Sequence, residues 1–273
     1  MTRSPQDRRV RGERARLAAE TTLGEAVTCD AITTDYRILQ RARGHRYSLD
    51  DLATAAEAVR GGLPPGLRYL DLGCGIGSAL LMVAWRLRPS VVVGIEALGV
   101  SVALARMNAA LNDLDADIVE GDHRVVTTAW RGAPFDLITG TPPYLPVGTA
   151  IASPDPQRAA ARLEIRGGVE DYLLSARRVL AEGGRVVVCA GGGDAGRVEA
   201  GARAASLQRK RRVDVFPHVD ARGPLFSVWT LGEGDDAAPH DHKQWWIRGG
   251  DGTQTAAARG LRATFGLSPG PKG

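Results

Sequence analysis

Three stretches of this 273-residue chain hold side chains whose types and spacing could do chemistry. The first follows a strand-like run, Phe135-Asp136-Leu137-Ile138-Thr139, and reads Gly140-Thr141-Pro142-Pro143-Tyr144. Two adjacent prolines fix φ, remove two N–H donors and push Thr141 out of the helical region. The result is a stiff protrusion that offers the Thr141 hydroxyl and nearby carbonyls as acceptors beside the flat ring of Tyr144. Such a group can grip the N–H hydrogens of a planar amino group and aim its delocalised nitrogen lone pair at an electrophile, while the ring stacks on the substrate's plane. No strong base is needed, and the segment offers no obvious His or Glu.

The second stretch, Tyr69-Leu70-Asp71-Leu72-Gly73-Cys74-Gly75-Ile76-Gly77-Ser78, is a strand running into a glycine turn and then a helix. Glycines there let the backbone turn tightly and approach a ligand beside a helix N-terminus. A dehydrogenase fingerprint, G-x-G-x-x-G, would place glycine at 78, where this chain has Ser, so hydride chemistry loses ground. The third stretch is a pair of acids at strand ends. Glu96 lies twenty-one residues beyond Gly75, where a carboxylate can accept ribose hydroxyls, and Asp122 follows the next strand in Glu120-Gly121-Asp122-His123. Each signal alone has a plainer reading: a βα connection for the glycines, a helix cap for Asp122, and a small spacer rather than a nucleophile for Cys74.

Positioning these groups requires strands that end at one crevice. Strand-like runs are Tyr69–Leu72, Val91–Ile95, Asp117–Glu120, Phe135–Thr139 and Arg185–Ala190; helical runs start at Ser48 and cover Ser78–Leu87, Val100–Asn112, Gly168–Leu180 and Gly196–Leu207. This alternation predicts a parallel sheet covered by helices on both faces, with ligands outside the carboxyl ends of the strands. Two further strands, Val213–His218 and Phe226–Leu231, are separated by only seven residues, too few for a parallel crossover, so they should pair antiparallel.

Together these residues resemble a class I S-adenosylmethionine (SAM) methyltransferase over about Ser48 to Leu231. The resemblance implies an α/β, Rossmann-like fold with a mostly parallel seven-stranded sheet that closes on an antiparallel pair. It implies SAM as cofactor, with Asp71, Gly73, Cys74, Gly75 and Gly77 along the methionine part, Glu96 and Ala97 at the ribose, and Asp122 with His123 at the adenine. Thr141, Pro142, Pro143 and Tyr144 resemble the (Asn/Asp/Ser)-Pro-Pro-Tyr signature of methyltransferases that act on adenine, cytosine or the glutamine amide, with Thr in the first position. Gln40 and the run Gly44 to Asp50 resemble the segment before the cofactor strand in small bacterial tRNA adenine-N(6) methyltransferases, which implies a lid role for Tyr47, Ser48 and Asp50. Arg162 to Tyr172 fall where that group has a positioned loop entering a helix; Arg162 and Arg166 there either touch phosphate or solvate a helix start.

Charge bears on the partner. The net +4 sits entirely in residues 1–46, where ten Arg face six acids, and the remainder is neutral. The segment reads as a basic arm, loosely ordered over its first twenty residues, with Arg43 and Arg46 as candidate contacts to an RNA backbone. The expected organisation is this arm, a methyltransferase domain over 47–231, and a linker and tail over 232–273 that packs back on it. In the tail, Thr255–Phe265 reads as a helix and Trp245 and Trp246 as packing anchors. Arg209-Lys210-Arg211-Arg212 reads as a solvated helix end or an RNA contact. Three cysteines form no disulfide framework, and His240-Asp241-His242 with Asp235 and Asp236 is a weak metal candidate, so no metal is expected. The longest apolar runs, near Leu80–Ala84 and Val91–Ile95, fall well short of the roughly 18 residues of a membrane span, and no secretory signal is visible, which makes a cytoplasmic monomer the expectation. The expected activity is methylation of the 6-amino group of adenine in RNA, with tRNA foremost. Two alternatives stay open: protein glutamine methylation of the release-factor type, whose N-terminal helical domain is longer than this arm, and a SAM-binding protein without catalysis, which Thr141 motivates.

Overall fold

The computed structural model describes residues 4–234 and 241–268. Its N-terminal segment corrects the expectation of a loosely ordered start. Helix α1 (Pro5–Leu23) opens on Ser4, whose Oγ accepts the Asp7 N–H at 3.1 Å, and closes on Gly24 in the left-handed region. No apolar stripe marks it in the sequence, because it is held by charge: Arg8 pairs with Asp35 at 3.1 Å and Arg11 with Asp113 at 2.6 Å, while only Gly12 and Ala19 are buried. An antiparallel hairpin follows, β1 (Val27–Ala31) with β2 (Arg37–Arg41), which the sequence reading did not contain.

From α2 (Leu49–Ala58) onward the alternation is as expected. It continues through β3 (Arg68–Leu72), α3 (Ser78–Leu87), β4 (Val91–Glu96), α4 (Gly99–Leu111), β5 (Asp117–Glu120), α5 (His123–Ala129) and β6 (Phe135–Gly140). Two helices then come in succession, α6 (Pro156–Arg162) and α7 (Val169–Val179), before β7 (Leu180–Gly191), α8 (Ala195–Ala204), β8 (Gln208–His218) and β9 (Phe226–Gly232). The short α5 and α6 had no sequence counterpart. Both β7 and β8 pair antiparallel with β9, as the short β8–β9 connection requires.

The sheet has eight strands rather than seven. Residues Asp241–Arg248 form β10, which adds to the edge parallel to β8, giving the order β10-β8-β9-β7-β6-β3-β4-β5. Part of the expected linker, 235–240, lies outside the described residues. The tail packs back through β10 and through α9 (Ala256–Thr264), which buries Ala258 and Leu261 and is followed by buried Phe265. Trp246 stacks on Phe216 with centroids 5.6 Å apart, as a packing anchor should. The run Arg209 to Arg212 is not a helix end but part of β8. Arg211 is buried between Glu57 and Asp241, and Arg212 lies over the Trp229 ring at 4.7 Å. Of the metal candidate, Asp235, Asp236 and His240 lie outside the described residues, and His242 Nε2 is bonded to Asp214 at 2.8 Å.

Side chains alternate between two apolar layers, as strand geometry dictates. Tyr69, Leu137, Val187 and Cys189 join α2, α3 and the N-terminal hairpin on one face, whereas Leu70, Leu72, Ile138, Val186 and Val188 join α7 and α8 on the other. The strand β3 lies between β4 and β6, so the chain leaves it in opposite directions on its two sides. A crevice opens outside the carboxyl ends of β3, β4 and β6 at this switch in strand order. No helix among the described residues is long and apolar enough to cross a membrane.

Candidate active site

The crevice is a cleft lined by the turn after β3 (Gly73, Cys74, Gly75, Ile76), the end of β4 (Glu96, Ala97), Asp122 and His123 after β5, and Thr141 to Tyr144 after β6. One wall is the start of α2, with Ser48, Asp50 and Asp51; another is α6 and its exit, with Gln157, Ile165 and Arg166. The glycine turn and the Pro-Pro-Tyr turn therefore face one space.

The turn after β3 depends on glycines at positive φ, Gly73 at 60°, Gly75 at 57° and Gly77 at 87°. A Cβ at Gly73 would lie 2.2 Å from the Tyr172 hydroxyl, whereas one at Gly75 meets no atom within 4 Å and points into the cleft. Glu96 stiffens the turn: its carboxylate accepts the Gly75 N–H at 2.9 Å and the Leu98 N–H at 2.7 Å. Burial raises the Glu96 pKa, opposed by those backbone N–H groups and by the positive charge of Arg166. Asp71 lies beneath the turn rather than in the cleft. It accepts the Thr139 hydroxyl at 2.6 Å, and burial pushes its pKa up to about 7.

Asp122 combines the two roles weighed for it. It lines the cleft, but it also caps α5 through the Arg124 N–H at 2.9 Å and pairs with the Arg124 guanidinium at 2.6 Å, which lowers its pKa. Beside it His123 is held neutral, since burial pushes its pKa down to about 4. Its Nδ1 is 2.9 Å from the Ser175 hydroxyl, and its buried Nε2 has no hydrogen-bond partner among the described residues. The open space over Gly75, the Glu96 carboxylate at a strand end and this unpartnered ring nitrogen are the donor set a nucleoside cofactor needs, and SAM fits them.

At the other side of the cleft the Pro-Pro-Tyr turn is braced by two acids of α2. The Tyr144 hydroxyl donates to Asp50 at 2.8 Å and lies 3.1 Å from Cys189 Sγ, which fixes its ring. Asp51, which accepts the Ser48 N–H at 3.0 Å, lines the cleft beside Thr141, whose hydroxyl favours its ionised form. Burial, and then the charges of Asp50 and Asp71, push the Asp51 pKa up to about 8. The Thr141 oxygen, at the cleft, offers lone pairs to whatever enters it. A hydroxyl in the first position of this turn thus has a carboxyl behind it.

The structure gathers Gly73, Cys74, Gly75, Glu96, Ala97, Asp122, His123, Arg166 and the four residues Thr141 to Tyr144. It leaves out Tyr47, whose hydroxyl faces the Ala31 carbonyl at 3.4 Å, and Gly77, which caps α3. Arg43 is exposed and outside the cleft, and Arg46 and Arg162 line a separate shallow depression. Sequence reasoning missed Asp51, Gln157 and Tyr172 as cleft residues. The Tyr172 ring is wedged between two turns: a Cβ at Gly140 would approach its Cδ1 to 2.7 Å, and one at Gly73 its hydroxyl. Its only signal was the coincidence of glycines at 73 and 140 with an aromatic residue entering a later helix. Gln157 accepts the His45 N–H at 3.0 Å, and Arg41 pairs with Asp155 at 2.8 Å, so the N-terminal hairpin holds α6 over the cleft.

Comparison with known proteins agrees with this geometry. Over 125 residues the chain is 36% identical to a release factor glutamine methyltransferase of Deinococcus radiodurans, covering 45% of this chain and 43% of that one. Over 140 residues it is 31% identical to a tRNA1(Val) (adenine(37)-N6)-methyltransferase of Porphyromonas gingivalis, covering 50% and 53%. The chain thus spans about half the length of the curated relatives it matches. Among solved structures, a predicted O-methyltransferase of Agrobacterium tumefaciens shares the fold with a TM-score of 0.59 at 19% identity, over 80% of this chain and 98% of that one. The model of a family described as a methyltransferase domain matches residues 63–211, more than half of the sequence, and the chain belongs to that family, with the class I fold that its strand order displays.

Proposed function

We propose that this chain is a SAM-dependent methyltransferase that acts on an exocyclic amino group, the 6-amino group of adenine in an RNA. The observation that carries this reading is the Thr141-Pro142-Pro143-Tyr144 turn facing the Gly73–Gly77 turn across one cleft. Gly75 and Glu96 hold the cofactor, Gly75 by leaving room for it and Glu96 by accepting its ribose hydroxyls. When bound, SAM supplies a methyl carbon made electrophilic by its sulfonium. The Thr141 oxygen and the carbonyls of its turn accept the amino N–H hydrogens, which turns the nitrogen lone pair toward that carbon. Asp50 keeps the Tyr144 ring in place to stack on the substrate's plane. The two prolines remove competing N–H donors from the turn.

Relatives named for adenine in tRNA and for glutamine in release factors both match, and the 36% identity to the latter favours glutamine as a second reading. Incubation with methyl-labelled SAM and, in parallel, total tRNA or a release factor, followed by nucleoside and peptide mass spectrometry, separates the two. The expected product is N6-methyladenosine. Label confined to a glutamine side chain would replace the adenine reading, and no label on either, with SAM bound in a calorimeter, would leave a binding protein.

A further inference from the structure

Half of the arginines in residues 1–46 are engaged in ion pairs within the molecule. In the N-terminal segment Arg8 pairs with Asp35, Arg11 with Asp113, Arg16 with Glu13 and Glu20, Arg41 with Glu25 and Asp155, and Arg46 with Asp30. A different set of arginines stands beside the cleft. Arg158 and Arg162 are one helical turn apart on α6, both exposed, and Arg166 follows by the same interval at the lip of the cleft. Among the described residues, the side chain of neither Arg158 nor Arg162 pairs with a carboxylate or donates a hydrogen bond.

These two residues line a depression with Gly44, His45, Arg46 and Ser153, and no carboxylate is part of that lining. His45 lines both the depression and the cleft, so the two adjoin. The platform is rigid. Asp155 caps α6 through the Arg158 N–H at 2.9 Å, Arg41 clamps Asp155, and Ala159 and Leu163 are buried beneath. Arg46 also lines the depression, with its two terminal nitrogens donating to the Thr28 hydroxyl and to Asp30, both at 2.9 Å. A row of guanidinium groups on a fixed helix, facing a concave surface without acids, is suited to bidentate contacts with phosphate.

We propose that Arg158 and Arg162 form a seat for phosphodiester groups of a single-stranded nucleic-acid segment, flanking the nucleotide whose base enters the cleft. The seat rests on the RNA reading given above and specifies how the strand is held. A glutamine-bearing protein would have no use for it.

The test compares Arg158→Gln/Arg162→Gln with Arg14→Glu, an exposed position on α1; both variants lower the net charge by the same amount. Binding of a fluorescent single-stranded RNA oligonucleotide is titrated at several KCl concentrations, SAM binding serves as the fold check, and methyl transfer to tRNA is followed separately. Each lost phosphate contact lowers the slope of log K against log salt by about 0.7 for a single strand. The double variant should therefore flatten the slope by about 1.4 and weaken binding at low salt by tenfold or more, while Arg14→Glu leaves the slope nearly unchanged. Equal effects of the two variants, or none from either, overturn the seat even if the wild-type protein methylates RNA. Arginine-dependent RNA binding without adenine methylation keeps the seat and removes the adenine reading. Failure of the wild-type protein to bind RNA, with transfer to glutamine, removes both.

Discussion

Replacing Gly73 and Gly75 separately by alanine should split stability from cofactor binding. Both residues have a left-handed backbone, with φ of 60° and 57°, and an alanine in that region costs about 1–2 kcal/mol. At Gly75 nothing is added to this, because the new Cβ meets no atom within 4 Å. At Gly73 the Cβ would stand 2.2 Å from the Tyr172 hydroxyl and 3.0 Å from its Cζ, and the ring cannot retreat toward Gly140, where it is already in close contact. Overpacking of that kind costs about 1–3 kcal/mol more. Thus Gly73→Ala should lose roughly 2–5 kcal/mol against roughly 1–2 for Gly75→Ala, a gap of several degrees in melting temperature. For SAM the order reverses. The Gly75 methyl projects into the cleft where the cofactor backbone must approach, and its affinity should fall at least about tenfold, or ~1.4 kcal/mol. Thermal unfolding and calorimetric SAM titration of the two variants read these quantities, and adding Tyr172→Ala to Gly73→Ala should recover the clash as a favourable coupling energy. If both variants melted together and bound SAM equally, the turn would not be the cofactor cradle described.

Removing the Thr141 hydroxyl in Thr141→Val should lower kcat about 10²-fold with SAM affinity unchanged, whereas Thr141→Asn, which restores an amide acceptor, should keep or raise kcat; equal rates for all three would deny Thr141 a role. Burial raises the Asp51 pKa from 3.8 to about 8, so the folded protein retains a proton that the unfolded chain releases. Its stabilising effect is full below pH 3.8 and erodes as pH rises toward 8, by at most about 1.4 kcal/mol per unit. The melting temperature of Asp51→Asn relative to wild type should accordingly climb between pH 5 and pH 8, and a constant difference would contradict the buried carboxyl. Arg211 pairs with Glu57 at 2.8 Å, and the Glu57 side chain is 2% exposed, so Arg211→Met should cost about 3–5 kcal/mol in urea unfolding. Adding Glu57→Gln should return much of that loss.

The parts of the site that were legible in the sequence are those set by backbone chemistry. Glycines at 73 and 75 and prolines at 142 and 143 restrict or release φ in ways that hold in any context, so both turns stand where they were expected. Glu96 was legible because a strand of fixed rise carries it a fixed distance from the turn. Residues that reach the cleft only through tertiary packing were not. Asp51 arrives because α2 packs across β6 and β7, and Tyr172 because α7 lies under two glycine turns. Tyr47, next in sequence to the cleft residue Ser48, turns instead toward the hairpin. The hairpin and α1 escaped notice for a related reason. Helix α1 is tied down by ion pairs across long sequence separations, such as Arg11 with Asp113, which leave no periodic apolar signature, and the hairpin buries only short apolar pieces, Val27 with Ile38 and Leu39, that do not alternate.

Charge shows the same limit and gives the substrate question its sharpest form. A count along the chain places the surplus in residues 1–46, yet a charge that is paired internally exerts little field on a partner, because the neighbouring carboxylate cancels it within a few ångström. The exposed, unpaired guanidinium groups of Arg158 and Arg162 belong to a segment whose share of the net charge is nil, and only the fold sets them beside the cleft. Recognition therefore follows from local pairing rather than from net charge. Deleting the arginine-rich arm as a block would also remove α1 and the hairpin that holds α6, and the resulting loss of RNA binding would be misread as loss of charge. Single substitutions at positions 158 and 162, which leave Arg41 and Asp155 in place, avoid that confusion.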